Sequence, residues 1–520
     1  MNVASLALNI PGVIDVCIKL GDHIVSIIAS YCTANSTAED LAHKFDLKWK
    51  NILDILEGVQ NTESLGDAWK AEIIAILERL RGLLFQASSE LSQAGFGSRY
   101  NPVTNPTIQL SAPQKLKFAT YRKDRLLNWL HQIESWENDI FKRLAVMTLK
   151  KHIPQQLAQT VPVLQSNPAS RNLRTSPRRA PHSPQSEVVL NETPPANLNK
   201  IKSSNIYYST LYPDILIEFR NYDNTAVDVA ELRTNVYGMA KMLKSALPHR
   251  MFILKCEGVY PSQPGEPSRF ELRYSLPKGL EHPRSLRDLL TEKPVRKLHP
   301  LNHRFRLANN LATSVLYVHS GEFVHKRIKP ENILLMTEAS APPEQRFPHA
   351  LGSPFLVGFD RCRPADANSG RYGEIKLHDC LYQHPTRWGA SADEVFAMQH
   401  DIYSLGVVLL EIGLWQPLVW KDDTDGTYEY ADLFASGLEV REITTVKDER
   451  PLKVKQRLIE IAKQELPPIV GEIYAKVVLS CLEVHDDGMV GNEDAMRCFD
   501  ADVGTTFIRH VIKKLESLTV

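Results

Sequence analysis

The chain has 520 residues, with 61 Lys and Arg against 61 Asp and Glu, a formal net charge of zero and 43% hydrophobic content. That is apolar material for roughly two to four ordinary domains, and the balanced charge excludes a global attraction to nucleic acid or to anionic membranes, leaving only local patches. Seven scattered cysteines, odd in number and never in C-x-x-C spacing, argue against a disulfide framework or a zinc site and suit a reduced, cytoplasmic setting.

The first uncharged runs, Met1 to Ile14 and Ile24 to Ala38, fall short of the ~18 to 20 residues of a membrane span. They leave two readings: a buried first helix of a bundle, which is the commoner fate of such runs, or a segment that inserts conditionally into anionic membranes. Three further stretches carry the helical period: Trp49, Ile52, Leu53, Leu56 and Val59; then Trp69, Ile73, Ile76, Leu77, Leu80 and Leu84; then Leu126, Trp129, Leu130, Ile133, Ile140 and Leu144. Without strand alternation before about residue 150, the region 1–150 reads as an all-α bundle. Residues 151–200 change character, with Ser-Pro and Thr-Pro pairs and four arginines (171, 174, 178, 179) without an intervening acid. This is a linker, either a passive tether or a basic and phosphorylatable segment at Ser176 and Ser183.

From 201 onward strands and helices alternate. Ile215–Phe219, Met251–Leu254 and Phe270–Tyr274 read as strands and Val229–Leu247 as a helix. A long apolar helix over Arg306–His319 leads into His325-Lys326-Arg327-Ile328-Lys329-Pro330-Glu331-Asn332 and the run Ile333-Leu334-Leu335. Phe355-Leu356-Val357-Gly358-Phe359-Asp360, Tyr382-Gln383-His384-Pro385-Thr386, the helix Asp401–Glu411 and Cys481-Leu482 follow in order.

That order resembles the protein-kinase fold. His325–Asn332 is similar to the catalytic loop H-R-D-L-K-P-x-N, and Gly358-Phe359 to the D-F-G turn. Asp401 matches the helix aspartate that holds the loop's backbone. The resemblance implies a degenerate site. Arg327 stands where the family has its catalytic base, and a guanidinium has no acceptor lone pair. Gly358 stands where the family has its magnesium aspartate, and glycine has no side-chain oxygen. His325, Arg327, Lys329 and Asn332 are the loop's candidate site residues, none making an intact catalytic set. Arg220 and Glu231 are the nearest matches to the ATP-binding Lys-Glu pair, with Asn332 as a third nucleotide contact; Asn332 and Asp360 are the remaining metal candidates, and Gly358, Phe359 and Asp401 have structural roles. No G-x-G-x-x-G precedes the first strand, so no cofactor is expected, with ATP and Mg²⁺ the ones to test for.

Leu6-Ala7-Leu8-Asn9-Ile10-Pro11-Gly12-Val13-Ile14-Asp15 and the helical layout after it resemble the start of fungal HeLo and HeLo-like, prion-inhibition and propagation, domains. The expected fold is therefore multidomain: an N-terminal all-α helical bundle (1–150), a Pro/Ser/Arg-rich linker (151–200), and a C-terminal bilobal α+β protein kinase-like fold (201–520, small lobe 201–277, large lobe 278–520). The combination resembles the executioner pseudokinases of necroptosis. It implies a signalling protein whose bundle is the effector in regulated cell death or incompatibility. The implied partners are an upstream protein or receptor, a second copy of the chain and an anionic membrane, with no nucleic acid. Two alternatives stay open: an atypical Ser/Thr kinase that binds ATP, and a passive oligomerising scaffold.

Overall fold

The structure, a computed structural model, describes residues 10–31, most of 45–60, 67–93, 123–149, most of 188–222, 229–292 and 299–364 with three positions left out, 377–388, 396–436 less 423–425, 450–484 and most of 503–518. The chain divides into two compact units, Met1–Val161 and Pro162–Val520. Residues 1–9, including the Leu6–Asn9 part of the amino-terminal motif, lie outside the described residues, as do the linker arginines, Ser176 and Ser183.

The first unit is helical. Helix α1 (Ile10–Tyr31) buries Ile10, Val13, Ile14, Cys17, Leu20, Ile24, Ile27 and Ile28. That is one face of a 3.6-residue period. The rest of the helix is more open, as the 37% exposure of Val16 shows. Trp49, in the helical turns of 45–60, lies flat against Gly21, where a Cβ would fall 1.9 Å from the indole. The same indole donates from Nε1 to Asp22 at 2.7 Å. Helices α2 (Asp67–Gln93) and α3 (Lys123–Leu149) are fastened by the Trp136 Nε1–H bond to the Ile76 carbonyl at 2.7 Å. An exposed ion pair, Arg79 with Asp139, flanks it. In this arrangement the apolar stripe of α1 named above is core, and among the described residues no helix is long and apolar enough to cross a membrane.

The second unit mixes helices with antiparallel sheets. Its principal sheet has the order β1-β2-β3-β5-β4, built from β1 (Leu198–Lys200), β2 (Ile206–Ser209), β3 (Ile215–Asn221), β4 (Lys255–Pro261) and β5 (Arg269–Ser275). Helix α4 (Val229–Lys244) covers β4 with Val236, Met239, Ala240 and Leu243 buried. Two expectations are corrected here. The linker does not run to 200: Val189 bridges Val259, and β1 pairs with β2. The strand placed at Met251–Leu254 comes later, at β4, because Pro248 starts a helical turn over Pro248–Met251 that Phe252 ends at φ +54°. A proline is suited to the first turn of a helix, where its missing N–H costs nothing.

Beyond β6 (Leu280–Ser285) the chain becomes mostly helical. Helix α5 (Leu286–Thr291) is capped by Ser285, whose hydroxyl accepts the Asp288 N–H. Helix α6 (Leu301–Ser320) is buried along most of its length and ends at β7 (Phe323–Val324). Strands β8 (Ile333–Glu338) and β9 (Ser353–Leu356) join β6 in a three-stranded sheet, and β10 (Arg363–Pro364) pairs with β7. The Pro- and Ala-rich connection 337–352 is held by Arg346, which bonds the carbonyls of Ala339 and Ala341 and pairs with Glu281. Helix α7 (Met398–Leu414) is buried from end to end, a hairpin of β11 (Val419–Lys421) and β12 (Tyr428–Tyr430) follows, α9 (Glu472–Leu482) packs on α7, and α8 (Arg450–Gln464) packs on α9.

Candidate functional site

The loop between β7 and β8 is pinned from below by one carboxylate. Asp401, fully buried in the first turn of α7, accepts the backbone N–H groups of His325 at 2.8 Å and Lys326 at 2.9 Å. His319 Nε2 stands 2.9 Å from the same side chain. Burial would raise the Asp401 pKa, but His319 and the loop's hydrogen bonds hold it below the ordinary range. Lys326 adopts φ +70°, a left-handed conformation that this double anchor sustains. Burial, then the nearby charges of Arg363, Arg387 and Arg361, push its pKa down to about 7.

His325 is spent on structure. Its Nε2–H donates to the Val357 carbonyl at 3.0 Å and its Nδ1 accepts the Arg327 N–H at 3.3 Å. That pattern needs the neutral imidazole, in keeping with a pKa that burial lowers to about 4. The edge of the ring meets buried Phe359, centroids 4.8 Å apart.

Arg327 and Asp360 find each other. The guanidinium Nη1 lies 2.7 Å from Asp360 Oδ2, so the carboxylate expected as a metal candidate is engaged by an arginine of the loop. The other metal candidate, Asn332, gives its Nδ2–H to the Arg327 carbonyl at 2.8 Å, and its buried Oδ1 has no hydrogen-bond partner among the described residues. Gly358, at φ +84°, sits directly on this amide: a Cβ there would lie 2.2 Å from Asn332 Cγ. The backbone that puts Phe359 under His325 therefore admits no side chain at 358.

The largest surprise is Glu218. It projects from β3, buried and 1% exposed, and its Oε1 accepts the Asp360 N–H at 2.7 Å. Its Oε2 accepts from Gly358 N–H at 3.3 Å and from the Tyr274 hydroxyl at 3.1 Å. An acid thus ties the sheet to the 358–360 turn. Burial, then the neighbouring Asp360 charge, push its pKa up to about 7. Arg220, expected to act as the cationic partner of Glu231, instead donates to the Cys362 carbonyl at 3.0 Å. Glu231 lies exposed on the first turn of α4, where its charge suits the helix N-terminus. The structure does not bring that pair together. A lone acid in an apolar strand reads as a solvent-facing position, so nothing in the local pattern pointed to Glu218.

A second buried network also lay outside the sequence reading. Arg287, on α5, donates to Glu331 Oε1 at 2.8 Å, to Glu411 Oε1 at 3.0 Å and to the Tyr382 hydroxyl. Tyr382 in turn donates to Glu411 Oε2 at 2.9 Å. One guanidinium thereby joins α5, the end of the 325–332 loop, the 382 segment and α7. Thr386 is set between His384, 2.9 Å away, and His400, 3.3 Å away.

A family model described as a domain of unknown function, DUF7580, matches residues 251–518. The chain belongs to this family. No curated protein matches the chain. The DUF7580 region begins after β3, so it contains the pinned loop, the Arg327–Asp360 pair and the Arg287 network, whereas Glu218 and Arg220 reach it from outside the matched span. Among the described residues no cluster of three or more His, Cys, Asp or Glu is arranged to hold a metal ion.

Proposed function

We propose that this chain is a catalytically impaired, kinase-like signalling protein, in which residues 188–518 have a bilobal regulatory fold and the helical bundle is the effector. The observation that carries this reading is the Arg327–Asp360 ion pair. A guanidinium at the position of a general base cannot accept a hydroxyl proton, and it also occupies the Asp360 carboxylate that a displaced metal would use. The strand order β1-β2-β3-β5-β4 with α4 between β3 and β4 supports the small-lobe assignment, and the loop held by Asp401 supports the large-lobe assignment. The turn at 201–205 is held to the start of α5 by the Ser285 hydroxyl, which donates to the Lys202 carbonyl at 2.8 Å.

Signalling then depends on shape. A protein partner, a second copy or a modification shifts a balance between two states by binding one better than the other, and the released bundle acts on an anionic membrane. The rival reading, an atypical kinase, draws on one observation, the unpartnered Oδ1 of Asn332. Losing a general base alone costs about 10²- to 10⁴-fold in rate, so slow turnover would betray it. The test is Mg·ATP binding by thermal shift on the full chain, followed by phosphoprotein formation. No shift and no phosphoprotein are expected. A shift that Asn332→Ala abolishes would favour the kinase.

A further inference from the structure

Residues 188–190, shortly before β1, are seated on the outer edge of β4. Val259 donates its N–H to the Val188 carbonyl at 2.7 Å, Leu190 donates its own to the Val259 carbonyl at 2.9 Å, and Val188 is buried. The three residues thus run parallel to β4 as a short extra strand. A sheet edge is a template for any strand that brings backbone groups into register.

Gly258 shapes the seat. A Cβ there would fall 2.6 Å from the Val188 carbonyl oxygen and 2.8 and 2.9 Å from Leu190 Cγ and Cδ2, so the three nearest atoms all belong to the seated segment. The close approach of a second backbone is what glycine in a strand permits. The seat is also short, because Pro261 ends β4 and has no N–H to offer.

The chain's own segment reaches this seat with little slack. In the order β1-β2-β3-β5-β4 the strand β1 lies on the opposite edge, so Leu190 and Leu198 are five strand spacings apart, about 24 Å at about 4.8 Å each. The eight residue steps from Leu190 to Leu198 span at most about 26–29 Å. A connection this tight favours exchange of the strand with a second copy, which offers the same three residues without having to cross this sheet.

We propose that the β4 edge at Gly258 and Val259 is a strand-acceptor site whose partner is the 188–190 segment of a second copy, exchanged for the chain's own. The inference stands on the geometry of the edge and does not rest on the kinase-like reading.

The test uses two variants of the full chain. Gly258→Ala closes the acceptor and leaves the donor, whereas Leu190→Pro removes a donor N–H and leaves the acceptor. In sedimentation velocity the mixture should associate beyond either variant alone, because only the mixture pairs an intact donor with an open acceptor. A fluorescein-labelled peptide of residues 185–192 should compete with that association. It should also bind the Leu190→Pro chain about tenfold more tightly than the wild type, whose own segment fills the seat most of the time. Unchanged thermal unfolding of the variants keeps the comparison one of binding, and the peptide arm needs no change at 258. A mixture that associates no more than the single variants would overturn the second copy as partner. A peptide that binds the Leu190→Pro chain no better than the wild type would overturn the acceptor site itself.

Discussion

Gly358→Ala is the most economical probe of the packed turn. The residue sits at φ +84°, where an L side chain costs about 1–2 kcal/mol. The added methyl would start 2.2 Å from Asn332 Cγ, an overlap that neighbours relieve at about 1–3 kcal/mol. Against this, replacing glycine removes freedom from the unfolded chain and returns about 0.4–1 kcal/mol. The net expectation is a destabilisation of about 1–4 kcal/mol, read as a lower urea midpoint at unchanged slope. In an Asn332→Ala background the colliding amide is gone, and the same glycine change should cost about 1 kcal/mol or less. The double-mutant cycle thus predicts a coupling of about 1–3 kcal/mol between two residues 26 positions apart. A neutral Gly358→Ala, or an equal cost in both backgrounds, would refute the claim that the amide of Asn332 excludes a side chain at 358.

Other expectations follow from the same geometry. The carboxyl of Glu218, raised to about 7 in the fold, binds more protons folded than unfolded between about 4.5 and 7, so it makes stability fall as pH rises through that window, by up to about 1.4 kcal/mol per pH unit. His325, lowered to about 4, has the opposite slope between about 4 and 6.5, so the signature is the difference between wild type and Glu218→Gln, which should lose the downward slope. Arg287→Ala leaves Glu331 and Glu411 without their common cation and should cost about 3–5 kcal/mol in chemical denaturation. Arg327→Asp sets a second carboxylate against Asp360, and should destabilise the fold by about 1–3 kcal/mol without producing phosphotransfer to a protein substrate, measured by labelled-phosphate incorporation.

Much of this architecture was legible because burial and periodicity agree. The stripe Ile73, Leu77, Leu80 and Leu84 carries the helical period in the sequence and is a core face in the fold. The loop was legible for another reason: Asp401, expected to hold the loop's backbone, accepts the N–H groups of residues 76 and 75 positions earlier. The candidate site was less accessible. Asp360 reads as a spare ligand until Arg327 is seen to reach it, and that contact spans 33 residues and two elements. Arg220 has the expected charge type and shares a face of β3 with Glu218, but it is spent on the Cys362 carbonyl, while Glu218 takes the N–H groups of the 358–360 turn. A buried acid in an apolar strand acquires meaning only from the N–H groups that approach it, and these come from 140 and 142 residues away.

Gly358 is seated on Asn332, Asn332 is bonded to the carbonyl of Arg327, Arg327 is paired with Asp360, and the Asp360 N–H is bonded to Glu218. These five positions can therefore drift only in concert. A substitution at one passes through a less stable protein until a second compensates it, so relatives of this chain should differ at 218, 327, 332, 358 and 360 as sets rather than singly. The lock thereby works as a ratchet, and a lineage that acquires it has no short mutational road to a different set of residues at these positions.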